Sequence, residues 1–521
     1  MKKFINNNYK IIAFLLLTIF YFEYSVSITW DSAHYLGYVK IIERIMPFSS
    51  WDVVRGPVFP FIIYFSNVLF SKTNHGLIMG TYLFYLIMLL FTCKIMDYYF
   101  KKIKINKKMK NIIKYGFLFL TIINPFIYGY YHCLLTEYVA ITLSVVSCYY
   151  AIVWLNTNHD KERRQYFLLT ILFMFLTVFS WFLKQPYVSC GIFALIVAYL
   201  ISLFQDRKKF FVRTITIIAC ILSLFVSIKV WNAILNSHGN DTSTNRNPTN
   251  ALGNQFVRAI DFLDMNIENE IFSKKYIKNT KLSKKEKEDI YKLLNNNEKY
   301  VLVYKFDNNN KLVDVDYIKS SNGHSISLVS SFAYLFKTFI HNPPRLINSY
   351  ITNYFSIIDI YSTSTTDGVG YSSNKKFDLS FSNEIRVIGN KPYAVGDTNF
   401  FPLSDELYNN ASYYEQRNRV NNKLNNTMLF LSKIFIFLFK IIFFILPILL
   451  ITSIVMRFLK RFKKDRDLIN VIIILLGFSF LHILLHTVTG AIIDRYALPA
   501  FITCFLGIVF FCVLLFRLEK N

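Results

Sequence analysis

Four stretches of the sequence, Ile11–Phe22, Gly76–Met96, Ile215–Val226 and Val471–Leu485, run almost without charge. No other feature restricts the fold as much. A helix of about 20 apolar residues crosses the roughly 30 Å hydrocarbon core of a bilayer and satisfies its own backbone hydrogen bonds while doing so. Hydrophobic residues make up 54% of the 521, and mean hydropathy is +0.34. Soluble domains average about 45–50% on a definition that also counts Gly. This chain passes that level with only 17 Gly. An all-α polytopic membrane protein is therefore expected, not a soluble domain with buried helices.

The formal net charge is +25, and its placement decides its meaning. Of the Lys and Arg residues, 25 stand in six places: the N-terminus, 98–114, 156–166, 205–213, 457–467 and the C-terminus. Each place flanks an apolar segment. The polar stretch 235–427 carries 23 Lys/Arg against 20 Asp/Glu, close to balance. Binding of nucleic acid would ask for a basic face. Basic residues gathered at alternate span ends are instead the positive-inside signal. That signal places both termini in the cytoplasm of a cell-membrane protein. It gives about ten spans, at 9–29, 76–97, 112–131, 134–155, 166–183, 187–204, 211–233, 428–456, 468–488 and 496–516. Glu23 and Trp30 stand where a small-residue cleavage site would fall, so the first run reads as a retained helix. Pro57–Ser71 is apolar but short. Counting it as a span would put Lys101–Lys114 outside, so it reads as an interfacial helix.

Three regions follow: residues 1–234, a transmembrane core with a first outer loop at 30–75; 235–427, an extracytoplasmic module; and 428–521, three more spans. The module is expected to be mixed α/β. Ser237–Asn250 reads as irregular and Ser283–Leu294 as a charged helix. Tyr300–Phe306 and Leu312–Ile318 alternate about Asp307-Asn-Asn-Asn as a hairpin would. Phe332–Ile360, interrupted by Pro343-Pro344, is amphipathic and aromatic and suits a membrane surface.

Several chemistries have no signature here. GxxxxGK, GxGxxG after a strand, and HExxH do not occur. The seven cysteines, Cys93, Cys133, Cys148, Cys190, Cys220, Cys504 and Cys512, lie in or beside spans and form no CxxC, as small core residues would. Two D-x-D triplets, Asp314-Val-Asp316 and Asp465-Arg-Asp467, are weak signals for metal–nucleotide binding. His482 and His486, four apart on one helical face, are more often polar packing than a metal pair. His34 and His132 are better placed, on the outer side.

The informative residues sit at outer helix ends. Trp30-Asp31-Ser32-Ala33-His34-Tyr35 follows the first span, ahead of a surface-helix pattern at Leu36–Met46. Trp51-Asp52 and Arg55-Gly56-Pro57 come next. Later come Thr136-Glu137, Lys184-Gln185-Pro186 and Asp494-Arg495-Tyr496. Singly, Asp31 reads as a helix cap and the others as interfacial anchors. Together they fall on one membrane face in a topology derived without them. A substrate with a lipid tail would hold its phosphate at this depth. Arg and Lys neutralise such a phosphate and stabilise it as it leaves a sugar. A carboxylate can take the proton of the attacking hydroxyl. Asp31 is thus the expected catalytic base, with Arg55, Lys184 and Arg495 on the donor phosphate. His34, Tyr35, Glu137 and Tyr496 are expected to contact substrate. No residue is assigned to a metal, and the one possible cofactor is a divalent cation.

At these residues the sequence resembles the GT-C superfamily of membrane glycosyltransferases, especially the protein O-mannosyltransferases and lipid A aminoarabinose transferases. Members share an acid after the first helix, matched by Asp31 with His34 and Tyr35. An Arg- or His-led proline motif is matched by Arg55-Gly-Pro57-Val-Phe-Pro60. A Thr/Ser-Glu is matched by Thr136-Glu137, a basic residue with proline by Lys184-Gln-Pro186, and a terminal Arg-Tyr by Arg495-Tyr496 with Pro499. The likeness covers residues 1–205 and, locally, 480–510. Many members carry a second acid beside the first, where this chain has Ser32. The resemblance implies a polyprenyl-phosphate-sugar donor, an extracytoplasmic site, interfacial helices in the first loop, and a glycan, lipid or protein acceptor. A transporter or flippase of lipid-linked sugars is the alternative. A non-catalytic assembly protein is the third reading.

Overall fold

The computed structural model describes residues 9–22, 26, 30–53, 55–72, 74–158, 162–204, 210–240, 248–260, 262–264, 300–306, 312–319, 326, 328–358, 385–388, 391–395, 400–402, 422–489 and 494–519. The described chain is dominated by helices: α1 Tyr9–Tyr21, α2 Trp30–Ile42, α3 Val58–Leu69, α4 Asn74–Lys102, α5 Lys107–Ile122, α6 Pro125–Tyr131, α7 Glu137–Asn156 and α8 Arg163–Leu183. After these come α9 Val188–Leu203, α10 Phe210–Ser237, α11 Pro248–Arg258, α12 Leu328–His341, α13 Pro343–Ile358, α14 Asn422–Phe458, α15 Arg466–Val488 and α16 Leu498–Glu519.

Eight of the described helices are long and apolar enough to cross a bilayer: α4, α7, α8, α9, α10, α14, α15 and α16. The chain is a multi-pass membrane protein. One expected span differs. Residues 112–131 are not one rod but two helices, α5 and α6, bent by 54°. The cause is local. Asn124 caps α6 by accepting from the Phe126 amide, and Pro125 holds its first turn. Proline there has no amide to continue α5. The described part of the first expected span is the 13-residue α1. Helix α3 has 12 residues, about 18 Å, short of a crossing. The expected surface helix at Leu36–Met46 begins earlier, at Trp30, and ends at Ile42. The charged helix expected at Ser283–Leu294 lies outside the described residues.

The bundle is layered by burial. Helices α7 and α15 are central, with 78% of each span buried, whereas α10 has only 17%. Its outer face, with Ile218, Leu222 and Phe225 exposed, is suited to lipid. Beneath the first loop lies a block of buried tyrosines. The Tyr21 hydroxyl donates to the Tyr131 carbonyl at 2.8 Å and lies 2.7 Å from Thr81 Oγ1. Tyr85 and Tyr131 stack at 4.2 Å. His132 belongs to this block: it is fully buried, with its ring nitrogens 2.9 Å and 2.7 Å from the carbonyls of Tyr128 and Tyr21.

The basic helix ends gather at the opposite end of the bundle and are tied together there. Asp97 binds Lys10 and Lys114, each at 2.6 Å, and Tyr9 at 2.5 Å. Lys102 pairs with Asp467 at 2.9 Å and Arg517 with Asp465 at 2.5 Å. Arg457 donates to Asn470 at 2.8 Å and to the Ile201 carbonyl at 3.2 Å. The carboxylates of the Asp465-Arg-Asp467 triplet are therefore engaged in ion pairs. Six of the cysteines are buried and Cys512 is exposed; all are free thiols.

Between α11 and α14 lie short antiparallel strands. Strand β1 (Phe262–Asp264) pairs with β2 (Tyr300–Phe306), and β2 with β3 (Leu312–Lys319). A second set joins β4 (Ile385–Ile388), β5 (Lys391–Val395) and β6 (Phe400–Pro402). Strands β5 and β6 approach α2.

Candidate active site

Five separated segments meet at the end of the bundle away from the basic clusters. The first is α2. Asp31 lies in its opening turn, and the Asp31 side chain is outside the described residues. Its neighbour Ser32 is fully buried and donates to the Leu134 carbonyl at 2.8 Å. That bond fixes the start of α2 three residues ahead of Glu137. His34 follows one turn later and is partly exposed.

The second segment is the turn before α3. The Arg55 amide donates to the Asp52 carbonyl at 3.0 Å, and the Trp51 indole donates to the Arg55 carbonyl at 2.8 Å. These bonds hold the Arg55 guanidinium over the ring of buried Tyr35, 5.5 Å from its centroid, with Nη1 donating to the Tyr35 hydroxyl at 3.2 Å. Gly56 is required here by space. A Cβ at this position would stand 2.0 Å from the Phe182 carbonyl oxygen. The backbone of the Arg55 turn thus rests directly on the end of α8, two residues before Lys184.

Three more segments, the turn after α8, the start of α7 and the turn before α16, meet beside it. Lys184 ends α8 in extended backbone, and Pro186 shapes the short 3-10 turn Gln185–Tyr187 that leads into α9. The Tyr187 hydroxyl donates to Glu137 Oε1 at 2.9 Å. Glu137 is 0% exposed in the first turn of α7, where a carboxylate suits the helix dipole. Lys184 Nζ lies 5.2 Å from the Tyr496 ring centroid, and Tyr187 meets that ring edge-on at 5.6 Å. Tyr496 stands in the 3-10 turn Asp494–Ala497 with Arg495, whose side chain is outside the described residues. Ser144 of α7 donates to the Pro499 carbonyl at 2.7 Å and fixes the turn's exit.

His482 is the buckle of this arrangement. Its Nε2 is 2.7 Å from the Tyr496 carbonyl and its Nδ1 2.7 Å from Ser189 Oγ. A carbonyl only accepts, so Nε2 carries the proton and Nδ1 accepts from the serine. One imidazole thereby ties the Lys184 segment to the Arg495 segment. His486 stacks on Tyr496 at 5.0 Å, and neither of its ring nitrogens has a hydrogen-bond partner among the described residues. Both nitrogens of His482 are committed, so the His482–His486 metal pair has no geometric support. Among the described residues no group of three or more His, Cys, Asp or Glu could hold a metal ion.

Beside the Arg55 turn an apolar groove of 660 Å³ opens between Ile42, Met46, Phe48, Trp51, Pro57 and Trp231. Arg44 at its rim has a φ of 61°. Tyr187, Ser189 and His482 are the residues that sequence reasoning missed in these roles. The spacing of His482 and His486 was the one signal of their shared face.

Protein-family models, curated proteins and solved structures were each compared with this chain, and none matches.

Proposed function

We propose that the chain is a GT-C-like glycosyltransferase that moves a sugar from a polyprenyl-phosphate donor to an acceptor on the extracytoplasmic face of the cell membrane. The observation that carries this reading is the meeting of Arg55, Glu137, Lys184 and Tyr496, from four distant segments, at one end of the bundle. In this reading the basic end faces the cytoplasm. Helix α1 and the bent pair α5–α6 bring the spans to ten, α3 lies at the interface, and residues 235–427 form the mixed α/β module. Arg55, Lys184 and Arg495 hold the donor phosphate, and the groove beside Trp51 receives the first units of the lipid. The acceptor oxygen attacks the anomeric carbon as its bond to the phosphate oxygen breaks. The hydroxyl proton passes to Asp31, and polyprenyl phosphate leaves with the electron pair. The cations offset the charge that grows on the phosphate. Glu137, held by Tyr187, orders the site from below.

The test offers radiolabelled polyprenyl-phosphate sugars to the purified protein in detergent and lipid, with a nucleotide sugar as control. Release of polyprenyl phosphate by wild type but not by Asp31→Asn supports the reading. Transfer retained in that variant removes Asp31 from the mechanism. Silence with every donor shifts weight to translocation of lipid-linked sugars, which a flipping assay measures.

A further inference from the structure

The helical hairpin α12–α13 is a loop element by its place in the chain, yet it presents an apolar face that no described element covers. On α12 Phe332, Phe336 and Ile340 are more than half exposed, and on α13 Ile347, Ile351 and Phe355 are close to half exposed. Their spacings of four residues place each set on one side of its helix. The other side is turned into the protein, with Ser331, Tyr334, Leu346 and Asn353 buried. Six large apolar side chains exposed on neighbouring helices are the kind of patch that marks contact with lipid or another apolar partner.

Two contacts say what covers this face. Phe355 lies 6.4 Å from Phe444 of α14, and Phe444 is itself 59% exposed on the surface of a span. The apolar face of α13 therefore meets the exposed apolar surface of α14 at this pair. The second contact fixes its depth. Pro447 lies within α14 and has no amide to offer the carbonyl four residues earlier, that of Phe443. In a hydrocarbon core no water would satisfy that carbonyl. The Tyr354 hydroxyl of α13 donates to it at 2.8 Å. Phe443 precedes Arg457, at the basic end of α14, by about 21 Å of helix, well inside a core of about 30 Å. Asn353 adds a bond to the Thr487 carbonyl, at 3.2 Å, at the far end of α15.

We infer that α12–α13 is a membrane-inserted hairpin whose exposed face is covered by the acyl chains of the leaflet at the candidate-site end, locked in place by Tyr354 on the carbonyl that Pro447 leaves open. It is the part of the 235–427 module that belongs to the lipid contact surface and does not face water. The inference is independent of the reaction proposed above.

The experiment places a nitroxide on single cysteines at Phe336, Ile351 and, as the lipid-facing reference, Phe444. The full-length chain carries Cys512→Ser and sits in phosphatidylcholine–phosphatidylglycerol vesicles. Collision with oxygen, which concentrates in acyl chains, is compared with collision with a water-soluble nickel chelate. Labels at Phe336 and Ile351 are expected to match the oxygen preference of the label at Phe444. Ready access to nickel at both positions overturns the inference. So does access to neither reagent, which means a protein cover from elsewhere in the chain or from a second copy. Adding Tyr354→Phe is expected to raise the mobility of the Ile351 label while the Phe444 label stays unchanged; no change at Ile351 removes the lock. None of these readings requires transfer activity.

Discussion

Replacing His482 gives the sharpest test of how the candidate site is held together. Leucine at this position fits the apolar surroundings of α15 but deletes two bonds, to the Tyr496 carbonyl and from the Ser189 hydroxyl. Interhelical hydrogen bonds within a membrane contribute about 0.6 kcal/mol on average and at most about 1.7. A buried carbonyl left unpaired costs a further 1–3 kcal/mol or so. His482→Leu should therefore lose about 2–4 kcal/mol. Ser189→Ala removes only the bond to Nδ1, leaves the Tyr496 carbonyl paired, and should lose about 1 kcal/mol. His482→Gln keeps an amide donor for the carbonyl and should stay within about 1 kcal/mol of wild type. Unfolding of the purified chain in mixed micelles, titrated with a denaturing detergent and followed by circular dichroism, gives the order. Kinetics then separate positioning from packing. If His482 aligns the two cation-bearing segments and the proposed transfer is the reaction, His482→Leu lowers kcat/KM for the proposed lipid donor about tenfold, which is about 1.4 kcal/mol, and His482→Gln restores most of it. The reasoning is refuted if leucine is no less stable than Ser189→Ala, or if glutamine behaves no better than leucine.

Three further expectations follow from the same geometry. Gly56→Ala drives a methyl into the Phe182 carbonyl; the overpacking costs about 1–3 kcal/mol, so folded yield by size-exclusion chromatography should fall and any transfer activity with it. Tyr187→Phe removes a donor to the buried Glu137 carboxylate and should cost about 1.5–3 kcal/mol in the same unfolding assay, with Glu137→Gln/Tyr187→Phe losing less than the sum of the singles. Glu43, between α2 and α3, is pushed toward protonation by partial burial, but the Lys72 hydrogen bond at 2.9 Å and the charges of Lys40 and Lys72 outweigh that and hold its carboxyl below the usual range. A lowered carboxylate stabilises the fold above its ordinary value, and that contribution disappears as pH falls through the lowered one. Unfolding followed from pH 6 downward should thus lose stability in the acid range in wild type, and less steeply in Glu43→Gln.

The spans were legible because a bilayer imposes one pattern, a charge-free run with basic flanks. The ends of α4, α7, α8 and α15 lie within a few residues of the expected bounds. The bend between α5 and α6 was written in Asn124-Pro125, but a hydropathy window averages over such a pair. The surface helix was displaced because its apolar spacing shows only after Leu36, while its first turn is fixed by a tertiary contact, Ser32 on Leu134. The candidate site residues stood out as residue types at helix ends. Their meeting did not, since it depends on close approaches between distant segments. Gly56 on Phe182 and His482 between Ser189 and Tyr496 leave no local pattern. Every role assigned to these residues remains a proposal, and the side chains of Asp31 and Arg495 lie outside the described residues.

The closing of the candidate site across the chain also sets an order of assembly. Glu137 and Lys184 enter the membrane region with α7 and α8, but Tyr496 and His482, which enclose that region from the other side, arrive with α15 and α16 about 300 residues later. At a synthesis rate of roughly 5–20 residues per second, that interval is on the order of 15–60 s. During it, Glu137 and Lys184 stand at the mouth of a half-built bundle, before the Tyr496 and His482 segments close over them. Such a nascent intermediate is the form of this protein most in need of an insertase or chaperone that shelters polar groups within the bilayer.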